Sequence, residues 1–246
     1  MNSKKINIGV IGSGHLGQHH VKHYKSMNNI NFLGLHDINP ERGGEIAKKY
    51  ETKYFENVFN LMEACDGVSI VTPTESHYDV AKIALKKYGC NVFIEKPITE
   101  TILQADDLIN RAQRNNLIIQ VGHIERLNPA LKALEKFDIN PKFIDIQRLA
   151  PYTVRGTDVP VVLDLMIHDI DILLSLVKSK VKSIHASGVS ILTNSVDIAN
   201  ARIRFENGTV SSITSSRVSK DKVRKIKIFQ DNLYSTIDLL LERTEV

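Results

Sequence analysis

The chain has 246 residues, 42% of them hydrophobic and 24% charged, with a formal net charge of +4. This balance excludes a disordered chain and is enough for one large core or two modest ones. The mild positive charge permits an anionic substrate, but no basic run interleaved with aromatics supports nucleic-acid binding. Two cysteines, Cys65 and Cys90, offer neither a disulfide framework nor metal-ligand spacing, and no apolar run is long enough to span a membrane. A cytoplasmic setting with no metal and no membrane partner is therefore expected.

In chain order, the first half alternates two periods. "INIGVIG" (6–12) is a short β-branched run that ends in glycine, and "HLGQHHVKHYKSM" (15–27) has helical character. "NFLGLHD" (31–37) reads as a strand, and "NPERGGEIAKKY" (39–50) as a helix with an Asn cap and Pro at its first position. "GVSIVTP" (67–73) and "NVFIEKP" (91–97) are strand-like, followed by helical segments at 75–88 and 100–116 and the apolar run "LIIQVG" (117–122). Strands alternating with helices at this spacing predict a parallel sheet with right-handed crossovers.

After residue 122 the pattern changes. A helical segment (124–137, containing Pro129) and a strand at 142–150 precede the apolar helix "VVLDLMIHDIDILLSLV" (161–177). Alternating runs then follow to the end, two of them joined by Asn207-Gly208, a strong hairpin signal. In "KDKVRKIKIF" (220–229) the lysines alternate with isoleucines, as on a strand with one wet face. The expectation is α/β: residues 1–122 as a doubly wound parallel sheet, and 123–246 as an α+β domain with an open, mainly antiparallel sheet.

"GVIGSGHLGQHH" places Gly12, Gly14 and Gly17 in the G-x-G-x-x-G spacing between a strand and a helix, with Asp37 closing the second strand. That context predicts a Rossmann dinucleotide site. Gly12 makes the turn, Gly14 admits the pyrophosphate, and Gly17 allows close helix–strand packing over a helix N-terminus that supplies amide donors. The Asp37 carboxylate suits ribose hydroxyls and repels a 2′-phosphate; the nearest arginine in sequence is Arg42. NAD is expected over NADP.

The helix 161–177 carries Asp164, His168, Asp169 and Asp171 among apolar neighbours. Asp164 and His168 stand one helical turn apart. Taken alone, this is either a satisfied structural pair or half of a reaction centre.

Glu95-Lys96-Pro97, following the glycine fingerprint and preceding an α+β half, resembles the glucose–fructose oxidoreductase/inositol dehydrogenase family. "VTPTESH" (71–77), "GHIERLNPA" (122–130) and "LDLMIHDID" (163–171) extend the resemblance over essentially the whole chain. It implies NAD(P)-dependent oxidation of a sugar or cyclitol hydroxyl, or the reverse, with Lys96, Asp164 and His168 as the catalytic group. It also assigns His15, Leu16, Thr72, Pro73, His77 and Glu95 to the cofactor, together with the glycines, Asp37 and Lys96. The chemistry suits these residues: an unperturbed histidine has a pKa of about 6.5, which makes His168 a suitable base by type, and Lys96 can hold a developing alkoxide or share the proton.

"QVGHIERLNPA" and "RLAPY" are similar to the branch of the family that oxidises the 3-hydroxyl of UDP-N-acetylglucosamine, whose product a partner aminotransferase converts for lipid A or other surface glycans. On that resemblance Arg126, Arg148 and Arg155 are candidates for the diphosphate. His123, Glu125 and Asn128 are candidates for the sugar, beside Lys96, Asp164 and His168. Two departures stand out: Leu127 replaces a family phenylalanine, and the chain stops at "LLLERTEV" where relatives continue. The antiparallel sheet is expected to pair subunits as a homodimer or homotetramer. The alternatives are another sugar or cyclitol dehydrogenase, a catalytically silent NAD sensor or, more remotely, a pterin or bilin reductase of similar architecture.

Overall fold

The structure, a computed structural model, describes residues 5–153 and 159–246. Contacts divide the chain into two compact units, Met1–Gly122 and His123–Val246.

The first unit is a five-stranded parallel sheet of β1 (Ile6–Ile11), β2 (Ile30–His36), β3 (Gly67–Ile70), β4 (Asn91–Ile94) and β5 (Ile119–Val121). Its order is β2-β1-β3-β4-β5. The direction of winding therefore reverses between β1 and β3, which is where open α/β sheets bind ligands at their carboxyl ends. β3 is buried at all four positions, as a central strand covered on both faces must be. Successive residues Val10 and Ile11 point into different cores. Val10 joins Val21, Leu35 and Ala47, whereas Ile11 joins Ile70, Leu85, Ile94 and Leu108.

The helices α1 (Gly17–Ser26), α2 (Pro40–Lys49), α4 (Thr74–Ile83) and α5 (Ile102–Arg114) lie where the periodicity places them. α5 begins with a capping box between Thr101 and Gln104. A further helix, α3 (Val58–Ala64), has only seven residues and shows little periodicity in the sequence; Asn57 caps it.

The second unit holds a seven-stranded sheet of β6 (Phe143–Leu149), β7 (Val181–Val189), β8 (Ile198–Phe205), β9 (Val210–Ser216), β10 (Val223–Gln230), β11 (Leu233–Asp238) and β12 (Arg243–Glu245). The order is β12-β11-β10-β6-β9-β8-β7, and only the β6–β9 pair is parallel. The Asn207-Gly208 turn joins β8 to β9, with Gly208 at φ +91°. In β10, Ile226 and Ile228 are buried while Lys225 faces out. Ile172 and Leu173 pack with Ile144, Ile146, Ile213, Ile226 and Ile228 in one core.

Two expected helices differ in form. Residues 124–137 are not one helix. A 3₁₀ turn (Ile124–Leu127) ends at Asn128, whose side chain caps the short α6 (Pro129–Lys132), and a second 3₁₀ turn follows at Ala133–Lys136. Pro129 explains the break: it lacks an amide donor and disfavours helical backbone at the residue before it. Residues 161–177 begin as a π-helical turn (Val162–Met166) and continue as α7 (Ile167–Leu176). Among the described residues, no helix is long and apolar enough to cross a membrane.

Candidate functional site

In the first unit, the glycine turn sits at the carboxyl ends of β1 and β3. Gly12 has φ +93°, and a Cβ there would lie 2.6 Å from the Val71 carbonyl oxygen. A Cβ on Gly17 would lie 2.0 Å from the Gly12 carbonyl oxygen. Neither clash can be relieved by a side-chain movement, so only glycine allows α1 to start against the strand. A Cβ on Gly14 meets nothing within 4 Å, so the turn is open at that point. His15 and Leu16 are exposed beside it.

Asp37 follows β2 and is 2% exposed. Its Oδ2 accepts from the Ser13 amide (2.7 Å), the Ser13 hydroxyl (2.7 Å) and Arg42 Nε (3.1 Å). Its Oδ1 accepts from the Asn39 amide (2.9 Å) and Arg42 Nη2 (2.7 Å). Burial pushes this carboxyl up, but the donors of Arg42, Ser13 and Asn39 outweigh that and hold it at about 2. Arg42 is five residues away in sequence yet directly on the carboxylate, because the first turn of α2 folds back over the end of β2. The sequence offered Arg42 only as the nearest arginine, and Ser13 did not stand out.

At the ends of β3 and β4, His77 is buried and braces two loops, with Nδ1 2.9 Å from the Pro97 carbonyl and Nε2 2.9 Å from the Thr72 carbonyl. Thr72 Oγ1 is buried with no hydrogen-bond partner. Glu95 Oε1 lies 3.0 Å from Nε2 of His20, whose Nδ1 is 2.9 Å from Ser69 Oγ. A Cβ on Gly122 would come within 2.9 Å of the Glu95 carboxylate. The half-buried Lys96 thus stands between a held Glu95 and a buried Pro97. His20, the third residue after Gly17 on the sheet-facing side of α1, is the anchor that sequence reasoning missed.

In the second unit, the half-buried Asp164 lies in the π-helical turn and the half-buried His168 at the start of α7. The π turn widens the helix at this point, a deformation frequent at functional sites. The neighbouring charges are paired. Arg148 is 1% exposed and donates to Asp169 through Nε (2.9 Å) and Nη2 (2.7 Å). Nη2 is also 3.4 Å from Glu125, which accepts from Arg224 at 2.6 Å. Arg126 donates to Asp171 through Nε and Nη2. Asn128 accepts from Ala130 and donates to Leu239. His123 Nδ1 is buried without a hydrogen-bond partner. Arg155 and the rest of 154–158 lie outside the described residues.

Residues 6–123 match the oxidoreductase family with an NAD-binding Rossmann fold, and residues 149–232 match the Gfo/Idh/MocA C-terminal domain. UDP-N-acetylglucosamine 3-dehydrogenase from Acidithiobacillus ferrooxidans is 38% identical over 236 residues, which are 96% of this chain and 74% of that one. A solved structure of UDP-N-acetylglucosamine 3-dehydrogenase GnnA from that organism has a TM-score of 0.93 at 37% identity, covering 98% of this chain and 79% of its own. The scyllo-inositol 2-dehydrogenase (NAD(+)) of Bacillus subtilis is 26% identical over 87% of this chain and 68% of its own length. The chain belongs to the Gfo/Idh/MocA family of NAD-dependent oxidoreductases, and its first unit is the NAD-binding Rossmann domain. The residues present fit that cofactor: a turn open at Gly14, an ionised carboxylate at Asp37 and an unsatisfied hydroxyl at Thr72.

Two outcomes follow from these geometries. Asp37 is held below its ordinary 3.8, so its ionised form contributes stability above about pH 4 that disappears as pH falls towards about 2. The gap in urea midpoint between wild type and Asp37→Asn should be constant above that window and close within it. Arg148→Ala should destabilise the protein by about 3–5 kcal/mol by leaving Asp169 buried without its partner. Unchanged stability with a raised substrate KM would instead make Arg148 a substrate ligand.

Proposed function

We propose that this protein oxidises the 3-hydroxyl of UDP-N-acetylglucosamine to the 3-keto nucleotide sugar. The observation that carries this reading is the likeness, over 96% of the chain, to an enzyme of that name. It is supported by the presence of Lys96, Asp164 and His168 on the same chain. Bound NAD supplies the acceptor for the hydride that leaves carbon 3. The hydroxyl proton goes to His168, so that loss of a hydride from carbon and a proton from oxygen leaves the ketone. The Lys96 ammonium stabilises the alkoxide as it forms, and Asp164 orients the imidazole or holds a neighbouring hydroxyl. In this reading Arg126 and Arg155 are left for the diphosphate, with His123 and Asn128 near the sugar. Arg148 and Glu125 hold the frame around α7 through their ion pairs.

The product is a ketone of the class that an aminotransferase converts to an amine, so the reading includes coupling to such a partner in the cytoplasm. It also includes a homodimer or homotetramer formed through the C-terminal sheet. Ile184 and Val189 on β7 are 60% and 51% exposed, and the following Ile191 and Leu192 are 59% and 60% exposed. Apolar residues clustered at a sheet edge are commonly covered by another chain. Light scattering should find a mass of two or four protomers at micromolar concentration; a lone protomer removes this element.

Near-ultraviolet absorbance should report NADH formation when NAD-loaded protein meets UDP-N-acetylglucosamine, with an aminotransferase and glutamate pulling off the ketone. His168→Asn should leave NAD binding intact and slow that turnover by roughly two to four orders of magnitude. NADH formed from inositols but not from the nucleotide sugar would move the substrate to the cyclitols.

A further inference from the structure

Asp37 carries more donors than its geometry needs. A carboxylate offers about four lone-pair sites, yet Asp37 accepts from the Ser13 amide and hydroxyl, the Asn39 amide, and both Nε and Nη2 of Arg42. Ribose hydroxyls that bind this carboxylate must therefore displace a donor already present. The Ser13 and Asn39 amides belong to the turns that carry the site and cannot withdraw without moving the backbone. Arg42 can: its side chain is 48% exposed, whereas that of Asp37 is 1% exposed.

The placement of Arg42 is built into the fold. Its amide donates to the Asn39 cap at 3.0 Å, which fixes the first turn of α2. The next residue, Gly43, is one at which a Cβ would lie 2.4 Å from the Tyr54 ring and 3.2 Å from the Asp37 Cβ. A side chain at Gly43 would crowd the Tyr54 ring and Asp37, so glycine lets this turn pack closely where Arg42 meets the carboxylate. Tyr54 closes the arrangement by donating to the Asp37 carbonyl at 3.1 Å.

We propose that Arg42 sets how strictly this protein separates NAD from NADP: ribose hydroxyls take its place on Asp37, and the released guanidinium remains within reach of the 2′ substituent. Asp37 alone rejects a 2′-phosphate by charge. Arg42 works against that rejection in two ways, competing with the hydroxyls of NAD for Asp37 and offering a cation to the phosphate of NADP. Both effects narrow the difference between the cofactors, so removing the side chain must widen it. The inference rests on the cofactor site and holds whichever alcohol is oxidised.

The test is calorimetric titration of NAD and of NADP into the intact wild-type, Arg42→Ala and Arg42→Lys proteins, with no sugar present. In Arg42→Ala the ratio of the NADP to the NAD dissociation constant should rise by about tenfold or more, the scale of one charge-assisted hydrogen bond. The affinity for NAD should be unchanged or improved. Arg42→Lys keeps the charge and should keep the ratio nearer the wild-type value. In the wild type, NADP binding should fall more steeply with added salt than NAD binding, and Arg42→Ala should lose most of that difference. A ratio unchanged within about twofold, equal weakening of both cofactors, or a wild type with no measurable affinity for NADP would overturn the proposal. If Arg42→Ala lacks a cooperative thermal transition, Arg42→Gln is read in its place by the same criteria.

Discussion

The approach of α1 to the end of β1 is the constraint from which the nucleotide half is organised. No side chain fits between the Gly17 α-carbon and the Gly12 carbonyl, and none fits between Gly12 and the backbone of Val71. This closeness brings the amino end of α1 to the point where the sheet reverses its winding. It also sets Ser13 against Asp37, so the glycine turn and the carboxylate at the end of β2 are held together. A single extra carbon at Gly17 would disturb both.

A second layer of contacts holds the segments that carry Lys96 and His168. His20 reaches from α1 to Glu95 and Ser69, and His77 ties the Thr72 and Pro97 loops, so Lys96 stands on a strand end braced from both sides. In the other unit, Arg148 and Asp169 form a buried pair that fastens α7 to β6 directly beside His168. Replacing such a pair by apolar side chains is often neutral or stabilising, but losing one partner is severe. The pair therefore speaks more for fixing the helix than for adding stability.

Much of this was legible from the sequence because it depends on local chemistry. Strand and helix alternate with clear periods, Asn39 and Pro40 announce α2, and Asn207-Gly208 announces the β8–β9 turn. The glycine fingerprint has meaning because a strand precedes it and Asp37 follows. The less legible features lack a local signal. Helix α3 is too short to show a period. The break at Pro129 turns on a single ring, and the π turn at Asp164 changes the hydrogen-bonding pattern without changing the residue pattern. The pairing of Arg126 with Asp171 and of Arg148 with Asp169 has no local signal either, because each arginine's partner lies far away in the chain.

By itself the sequence determined most of the order of elements, the glycine turn between β1 and α1, the acidic residue at the end of β2, and the residue types available for hydride-transfer chemistry. Each follows from spacing along the chain, where steric and hydrogen-bonding rules act over a few residues. The tertiary structure decided how the long cationic side chains are used: Arg42 lies over Asp37, Arg148 is buried on Asp169, and Glu125 is shared between Arg148 and Arg224. Those outcomes depend on which charges the packing of helices and strands brings within about 3 Å in a low-dielectric setting, and spacing along the chain does not encode that distance.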